Sequence, residues 1–290
     1  MKLAVVANPG KYEVKDVIHS TIEWSKESDS HLFLCREVCQ LLGVEASETL
    51  SITDSDNESI DQCDVVLVMG GDGTILYTAR ISKASGKPIL GVNSGRLGFM
   101  TNVQAEELEE ALNHIKVGNY TLDKRHYLKA TDNQGNEYFA LNEFLFSRKN
   151  SSMVNISAEY DGSFINTYWA DGLIVSSSTG STAYNLSSGG PIVAPGSGVV
   201  LVTPINPHTL TSRPLVLRSD RPLKIIVDPD QSDILFSYDG IICEDQSLPL
   251  EVEIIKSKLS FNLIQLPGQN YFETLRKKLM WGQDSRRSKN

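Results

Sequence analysis

The chain has 290 residues, 40% hydrophobic and 22% charged, enough apolar content to bury one large or two ordinary cores. A net charge of −9 at pH 7 argues against nucleic acid or an anionic membrane surface as the main partner. The basic clusters Arg276-Lys277-Lys278 and Arg286-Arg287 read as a helix end and a solvated terminus. Met1 to Gly10 has too short an apolar run for a signal peptide, and no later run approaches about 18 apolar residues, so a cytoplasmic location is expected. Cys35, Cys39, Cys63 and Cys243 form no CxxC pair, which implies reduced structural thiols and no dedicated metal site.

Lys2 to Ala7 reads as a first strand ending at Asn8-Pro9-Gly10, and Val14 to Trp24 as a helix with Val14, Val17, Ile18 and Ile22 on one face. His31 to Leu34 follows as a strand, Arg36 to Leu42 as a helix stopped by Gly43, and residues 51–61 as a polar connection. Val65 to Met69 is a strand buried on both faces, Thr74 to Arg80 a helix, and Lys87 to Val92 a short strand running into Asn93-Ser94-Gly95-Arg96-Leu97-Gly98-Phe99. This alternation predicts a parallel α/β sheet with ligands at the C-terminal strand edge. Gln104 to Ile115 reads as an amphipathic helix.

From Lys124 the pattern changes to short alternating segments punctuated by turns such as Asp161-Gly162. Strands are expected at Tyr127–Thr131, Tyr138–Ser147, Val154–Tyr160, Phe164–Trp169, Gly172–Ser176, Val199–Thr203, Leu215–Leu217, Leu223–Val227, Ile234–Tyr238 and Leu250–Ile255. A sandwich or barrel-like second domain follows from them. Tyr271 to Trp281 returns to helical spacing, with Phe272, Leu275 and Leu279 on one face, and is expected to pack back onto the first domain. The expected division is therefore 1–101 with a returning helix within 269–290, and 102–268.

The chemistry centres on the stretch DVVLVMGGDGTIL, Asp64 to Leu76. Gly70, Gly71 and Gly73 let backbone N–H groups approach an anion closely, and the helix opening at Thr74 turns its positive end to the same point. Asp72 repels a plain phosphate, so a carboxylate there implies a hydroxyl or a metal beside the phosphates, as phosphoryl transfer requires. The competing reading is a glycine turn with a capping Asp. Two further stretches carry more polar residues than packing needs. Leu141-Asn142-Glu143 sets an amide beside a carboxylate within a strand pattern, able to hold a sugar edge or an amide. Asp171 to Pro191 runs from a strand into a hydroxyl-rich loop with Gly180 and a short helix, where Tyr184 could stack on a ring.

GGDGT alone resembles a signature shared by NAD kinases, diacylglycerol and sphingosine-type lipid kinases and, more loosely, phosphofructokinases. Combined with LNE, DGLIVSSSTGSTAYNLSSGGP, NSGRLGF and NPHTLTSRPLV, the chain resembles the NAD kinase family from Val5 to Trp281. The resemblance implies a Rossmann-like α/β N-terminal domain and an all-β C-terminal sandwich domain. It implies phosphorylation by ATP of the 2′-hydroxyl of the adenosine ribose of NAD, giving NADP. It further implies that Asp72 is catalytic, that Gly70, Gly71, Gly73 and Thr74 form the phosphate loop, and that Asp72 and Gly73 lie against NAD. Asn142, Glu143, Asp171, Thr182, Ala183, Tyr184, Asn185, Leu186 and Ser187 would complete the dinucleotide site. Mg²⁺ or another divalent cation would enter with ATP, and a homodimer or homotetramer is expected. Tyr77, Trp169 and Ile241 depart from the family's usual residues at their positions. The alternatives are a diacylglycerol-type lipid kinase, which would want a greasy cleft or a basic membrane-facing patch, and a dinucleotide sensor without turnover.

Overall fold

A computed structural model of the chain describes residues 1–8, 10, 14–93, 95, 98–228, 234–243 and 248–280. Pro9, Ser94, Arg96, Leu97, Trp281 and the basic tail, all named above, lie outside the described residues. Two compact units are present, residues 1–124 with 261–290, and residues 125–260.

In the first unit the strands β1 (Lys2–Ala7), β2 (His31–Cys35), β3 (Leu50–Thr53), β4 (Val65–Gly70) and β5 (Pro88–Asn93) are parallel, in the spatial order β5-β4-β1-β2-β3. Ala4 lies opposite both Phe33 and Val66, and Leu67 opposite Leu90. Every residue of β4 is buried, as its unbroken apolar run requires of a central parallel strand. Helices α1 (Val14–Glu27), α2 (Arg36–Leu42), α3 (Asp56–Gln62) and α4 (Asp72–Ser82) make the crossovers. The chain winds outward from β1 to β3 and then returns to β4 on the other side of β1. That reversal is the topological switch point at which open α/β sheets form ligand crevices. The Asn8 N–H donates to the Met69 carbonyl at 3.1 Å, tying the ends of β1 and β4 together there.

Two elements differ from the sequence expectation in this unit. Residues 51–61, expected as a connection, contain most of β3 and all of α3 but its last residue, Gln62. Only Ser59 and Ile60 of α3 are buried, too few to show a period, and the helix is started instead by Ser55, whose hydroxyl accepts the Glu58 N–H at 3.2 Å. The helix expected from Gln104 begins as a 3₁₀ turn, Ala105–Glu107, and continues as α5 (Leu108–Lys116). Leu108, Ala111, Leu112 and Ile115 of α5 join the core formed by β1, β2, β4 and α1, and Trp24 Nε1 donates to Asn113 at 3.0 Å. Residues 102–124 therefore fall in the first unit.

The last strand, Leu250–Gln265, runs ten residues past its expected end at Ile255, and Asn262 and Leu263 pair in parallel with Pro88 and Ile89. The closing helix, Tyr271–Leu279, is capped by Asn270 and buries Leu275, whereas Phe272 and Leu279 of the same expected face are 55% and 38% exposed. No helix among the described residues is long and apolar enough to cross a membrane.

The second unit stacks antiparallel strands around its own core. One sheet runs Leu215–Arg218, Val199–Ile205, Gly172–Ser177, Glu143–Arg148, Ile234–Tyr238, Ile241–Ile242 in space. Strands Ser163–Ala170, Val154–Tyr160, Leu223–Val227 and residues 250–254 of the last strand pair in the other. Alternate side chains meet between them: Phe144, Phe146, Val175, Val202 and Phe236 pack with Ile156, Ile225, Val252 and Ile254. The strand expected over Tyr138–Ser147 is two strands, Glu137–Ala140 and Glu143–Arg148, broken at Leu141-Asn142. The break has a chemical cause described below.

Candidate active site

β4 ends at Gly70 and α4 begins at Asp72, so GGDGT is a tight strand-to-helix turn with Gly71 as N-cap. The helix starts two residues earlier than its apolar periodicity indicates, because the Thr74 and Ile75 N–H groups both donate to the Gly71 carbonyl, at 2.9 and 3.1 Å. Asp72 and Gly73 occupy the first two helical positions, whose N–H groups have no intrahelical acceptor, an arrangement that suits an anion. A side chain at Gly70 would meet Thr74 Oγ1 at 2.3 Å, so the buried Thr74 hydroxyl packs beneath the turn.

The Asp72 carboxylate is held from the loop after β5. Oδ2 accepts the Phe99 N–H at 2.9 Å and Oδ1 the Met100 N–H at 3.0 Å. Gly98 makes room for this seat, since a Cβ there would lie 2.2 Å from Asp72 Oδ1 and 2.3 Å from Thr101 Oγ1. Sequence reading missed these donors because they are backbone groups. The signal available was Gly98 itself, in a second glycine-bearing loop after a strand. Tyr77, one of the departures noted above, donates to Asp56 Oδ2 at 3.0 Å, with the Arg80 guanidinium 5.4 Å from its ring centre. Burial, then the Asp56 charge, push its phenol up to about 12.

In the second unit the Leu141-Asn142-Glu143 segment is organised by a residue that sequence reading had given no such task. Asp239 accepts the N–H groups of Leu141, Asn142 and Glu143 at 2.7, 2.8 and 3.1 Å. These amides are withdrawn from the strand ladder, which is why the strand breaks there. Burial, then the Asp239 charge, push the Glu143 carboxyl up to about 8, and its buried Oε2 has no hydrogen-bond partner among the described residues.

The hydroxyl-rich loop is pinned to the same segment. Ser177 Oγ donates to the Leu141 carbonyl at 2.5 Å and accepts the Thr179 and Gly180 N–H groups at 3.0 and 3.1 Å. Ser176 Oγ and the Ser177 N–H both donate to the Asn142 carbonyl, at 3.2 and 2.8 Å. A Cβ at Gly180 would fall 2.3 Å from that carbonyl, so glycine is required by close backbone approach.

Beyond it, Tyr184 begins a four-residue helix with 45% of its surface exposed, and Ser187 is exposed on the same turn. Thr182, Ala183 and Leu186 are partly exposed. Asn185 differs from its neighbours. Fully buried, its amide donates to the Ser181 and Pro191 carbonyls at 3.1 and 3.2 Å and accepts from Thr203 Oγ1 at 2.6 Å. Its side chain is committed to shaping the loop. Asp171 pairs with Arg148 Nε at 3.0 Å and accepts from Asn206 Nδ2 at 3.0 Å. Trp169 instead packs on His208, ring centres 4.4 Å apart, and Ile241 pairs with Tyr238 in the hairpin.

Residues 3–120 match the ATP-NAD kinase N-terminal domain family and residues 141–266 the ATP-NAD kinase C-terminal domain family. An NAD kinase of Bacteroides fragilis is 35% identical over 99% of this chain and 100% of its own length. Among solved structures, yeast NADH kinase complexed with NADH shares the fold with a TM-score of 0.88 at 21% identity, over 98% of this chain and 89% of that one. An NAD kinase from Archaeoglobus fulgidus in complex with ATP aligns with a TM-score of 0.73 at 25% identity, over 97% and 99%. The lipid-kinase and silent-sensor alternatives find no support in these matches. With both family domains matched in order along it, the chain belongs to the ATP-NAD kinase family and is a kinase whose substrates are NAD and ATP.

Proposed function

We propose that Asp72 is the catalytic residue, and that the hydroxyl it prepares is the 2′-hydroxyl of the adenosine ribose of NAD. The observation that carries this reading is the seat of Asp72: a carboxylate at the start of α4 in a glycine turn, with one backbone N–H on each oxygen. Each oxygen keeps a second acceptor direction for a substrate hydroxyl. A ribose hydroxyl is a poor nucleophile at neutral pH, and a carboxylate within about 3 Å contributes on the order of 10²- to 10⁴-fold. In the step, the bond from the 2′-oxygen to the γ-phosphorus forms, the bond from that phosphorus to the bridging oxygen of ADP breaks, and the proton passes to Asp72. Gly70, Gly71, Gly73 and Thr74 shape the turn whose N–H groups and helix dipole suit the phosphates.

Asn142 and Glu143 hold the ribose or adenine portion of NAD, and Asp171 with the loop Thr182 to Ser187 completes the site. Glu143 Oε2, buried with no hydrogen-bond partner among the described residues, suits a ligand hydroxyl or amide, and the exposed Tyr184 ring suits stacking. No group of three or more His, Cys, Asp or Glu side chains that could hold a metal occurs among the described residues. The cation is read as Mg²⁺ or another divalent ion carried in by the phosphates of ATP, whose charge it would offset. We place the enzyme in the cytoplasm, where the buried thiols of Cys35, Cys39 and Cys63 stay reduced. We also read it as a homodimer or homotetramer: strand Ser163–Ala170 ends its sheet and leaves Phe164 and Trp169 65% and 49% exposed. The test is NADP formation from NAD by the purified chain, with ATP and Mg²⁺, with ATP and a chelator, and with polyphosphate and Mg²⁺. NADP is expected with ATP and Mg²⁺ and none with the chelator. Saturable NAD binding with no NADP formed under any condition would overturn the reading.

A further inference from the structure

The mechanism above assigns Asp239 no task, yet its carboxylate is among the most heavily engaged groups of the second unit. It stands in a two-residue hairpin between Ile234–Tyr238 and Ile241–Ile242, at φ 45°, followed by Gly240 at φ 82°. This is the left-handed pair an Asp-Gly turn favours. From there Oδ2 accepts the Leu141 N–H and Oδ1 those of Asn142 and Glu143, while the Asp239 N–H donates to the Glu143 carbonyl at 3.1 Å. The carbonyls of Leu141 and Asn142 in turn receive Ser177 and Ser176. One carboxylate thus sets the backbone of both stretches expected to touch the dinucleotide.

We propose that Asp239 is a positioning residue of the dinucleotide subsite, which fixes Asn142 and Glu143 for the ligand through three consecutive backbone amides. The proposal rests on the reading of Asn142 and Glu143 as NAD contacts. Its electrostatic consequence concerns the two neighbouring carboxyl groups. Burial raises Asp239, and its three amide donors oppose that; Glu143 has no such donor, and burial and then Asp239 push it up to about 8. Three amide donors favour the charged form of Asp239, so the geometry assigns the proton of the pair to Glu143, which would meet the ligand as a carboxyl able to donate as well as accept. Tyr127, buried on strand Thr121–Asp132, is a further titratable group that feels Asp239, and burial and then that charge raise its phenol.

Asp239→Asn tests this, because Asn tolerates the left-handed turn while the change removes the charge and turns one accepting oxygen into an NH2 group that faces a backbone N–H donor. NADP formation would be measured with NAD and ATP varied separately from about pH 6 to about pH 9. The expected result is a KM for NAD raised about tenfold with the KM for ATP within about twofold, which corresponds to loss of one or two hydrogen bonds. An inflection in KM for NAD is expected near pH 8 in the parent, where Glu143 loses its proton, and should move to lower pH in the variant. An unchanged KM for NAD and an unmoved inflection overturn the proposal. So does a uniform loss of activity with a lower melting temperature and an unmoved inflection, which marks Asp239 as merely structural. Glu143→Gln, run in parallel, separates the two readings. If it leaves KM for NAD and its pH profile untouched, the placement of NAD at Glu143 fails. If it abolishes the inflection while Asp239→Asn changes nothing, only the role of Asp239 fails.

Discussion

Among the described residues, two carboxylates are gripped by consecutive backbone amides, one in each unit. Asp72 takes two, from Phe99 and Met100, one per oxygen; Asp239 takes three, from Leu141, Asn142 and Glu143, and shares its surroundings with a second carboxyl group. Asp72 opens a helix beside an exposed Gly73, whereas Asp239 sits in a hairpin with its own N–H turned back on Glu143. The comparison teaches that an amide grip serves opposite ends according to what is left over. With acceptor directions to spare at a helix start, the grip is proposed to aim a reactive group. With three amides bound beside a second buried carboxyl group, it is proposed to shape a wall of the dinucleotide site.

Breaking the first grip should have the larger consequences. Asp72→Asn is expected to keep the fold and NAD binding while lowering kcat on the order of 10²- to 10⁴-fold, measured as NADP formed per enzyme. Gly98→Ala pushes a methyl group to 2.2 Å from Asp72 Oδ1 and should cost about 10²-fold in kcat by displacing the carboxylate, with NAD affinity by calorimetry nearly kept. Near-full turnover in Gly98→Ala would show that the Phe99 and Met100 amides do not position Asp72.

In the second unit, Gly180→Ala places a methyl 2.3 Å from the Asn142 carbonyl. Because the obstacle is backbone, KM for NAD should rise about tenfold and stability fall by about 1–3 kcal/mol, read from urea unfolding. The smallest effect sharpens the protonation contrast. Glu143 has its folded pKa raised from 4.5 to about 8, so its contribution to stability is complete below pH 4.5 and is lost as pH rises through about 8. Melting temperatures of the parent relative to Glu143→Gln should therefore decline by a few degrees across that window; a constant difference would mean that Glu143 is ionised throughout.

The parts of this comparison were unequally legible in the sequence. The unbroken apolar run of β4 and the alternation in the second unit announce their strands, because burial on two faces or one writes itself into side chains. The motifs around Asp72, Asn142–Glu143 and Tyr184 were readable for the same reason: their chemistry lies in side-chain type. The grips were not, since their donors are backbone amides with no residue signature, and Asp239 lies 98 positions from Leu141. An Asp-Gly pair marks a hairpin, but nothing local says which amides its carboxylate will meet. The packing of α5 in the first unit was also hidden, because an amphipathic period states that a face is buried and not against which sheet.

The role of Asp72 is tested most directly by a crystal structure of the chain with NAD and a non-hydrolysable ATP analogue. An Asp72 carboxylate oxygen about 3 Å from the ribose 2′-oxygen, with that oxygen in line with the γ-phosphorus, is the predicted result. An ordered adenosine ribose more than about 5 Å from Asp72 would contradict it.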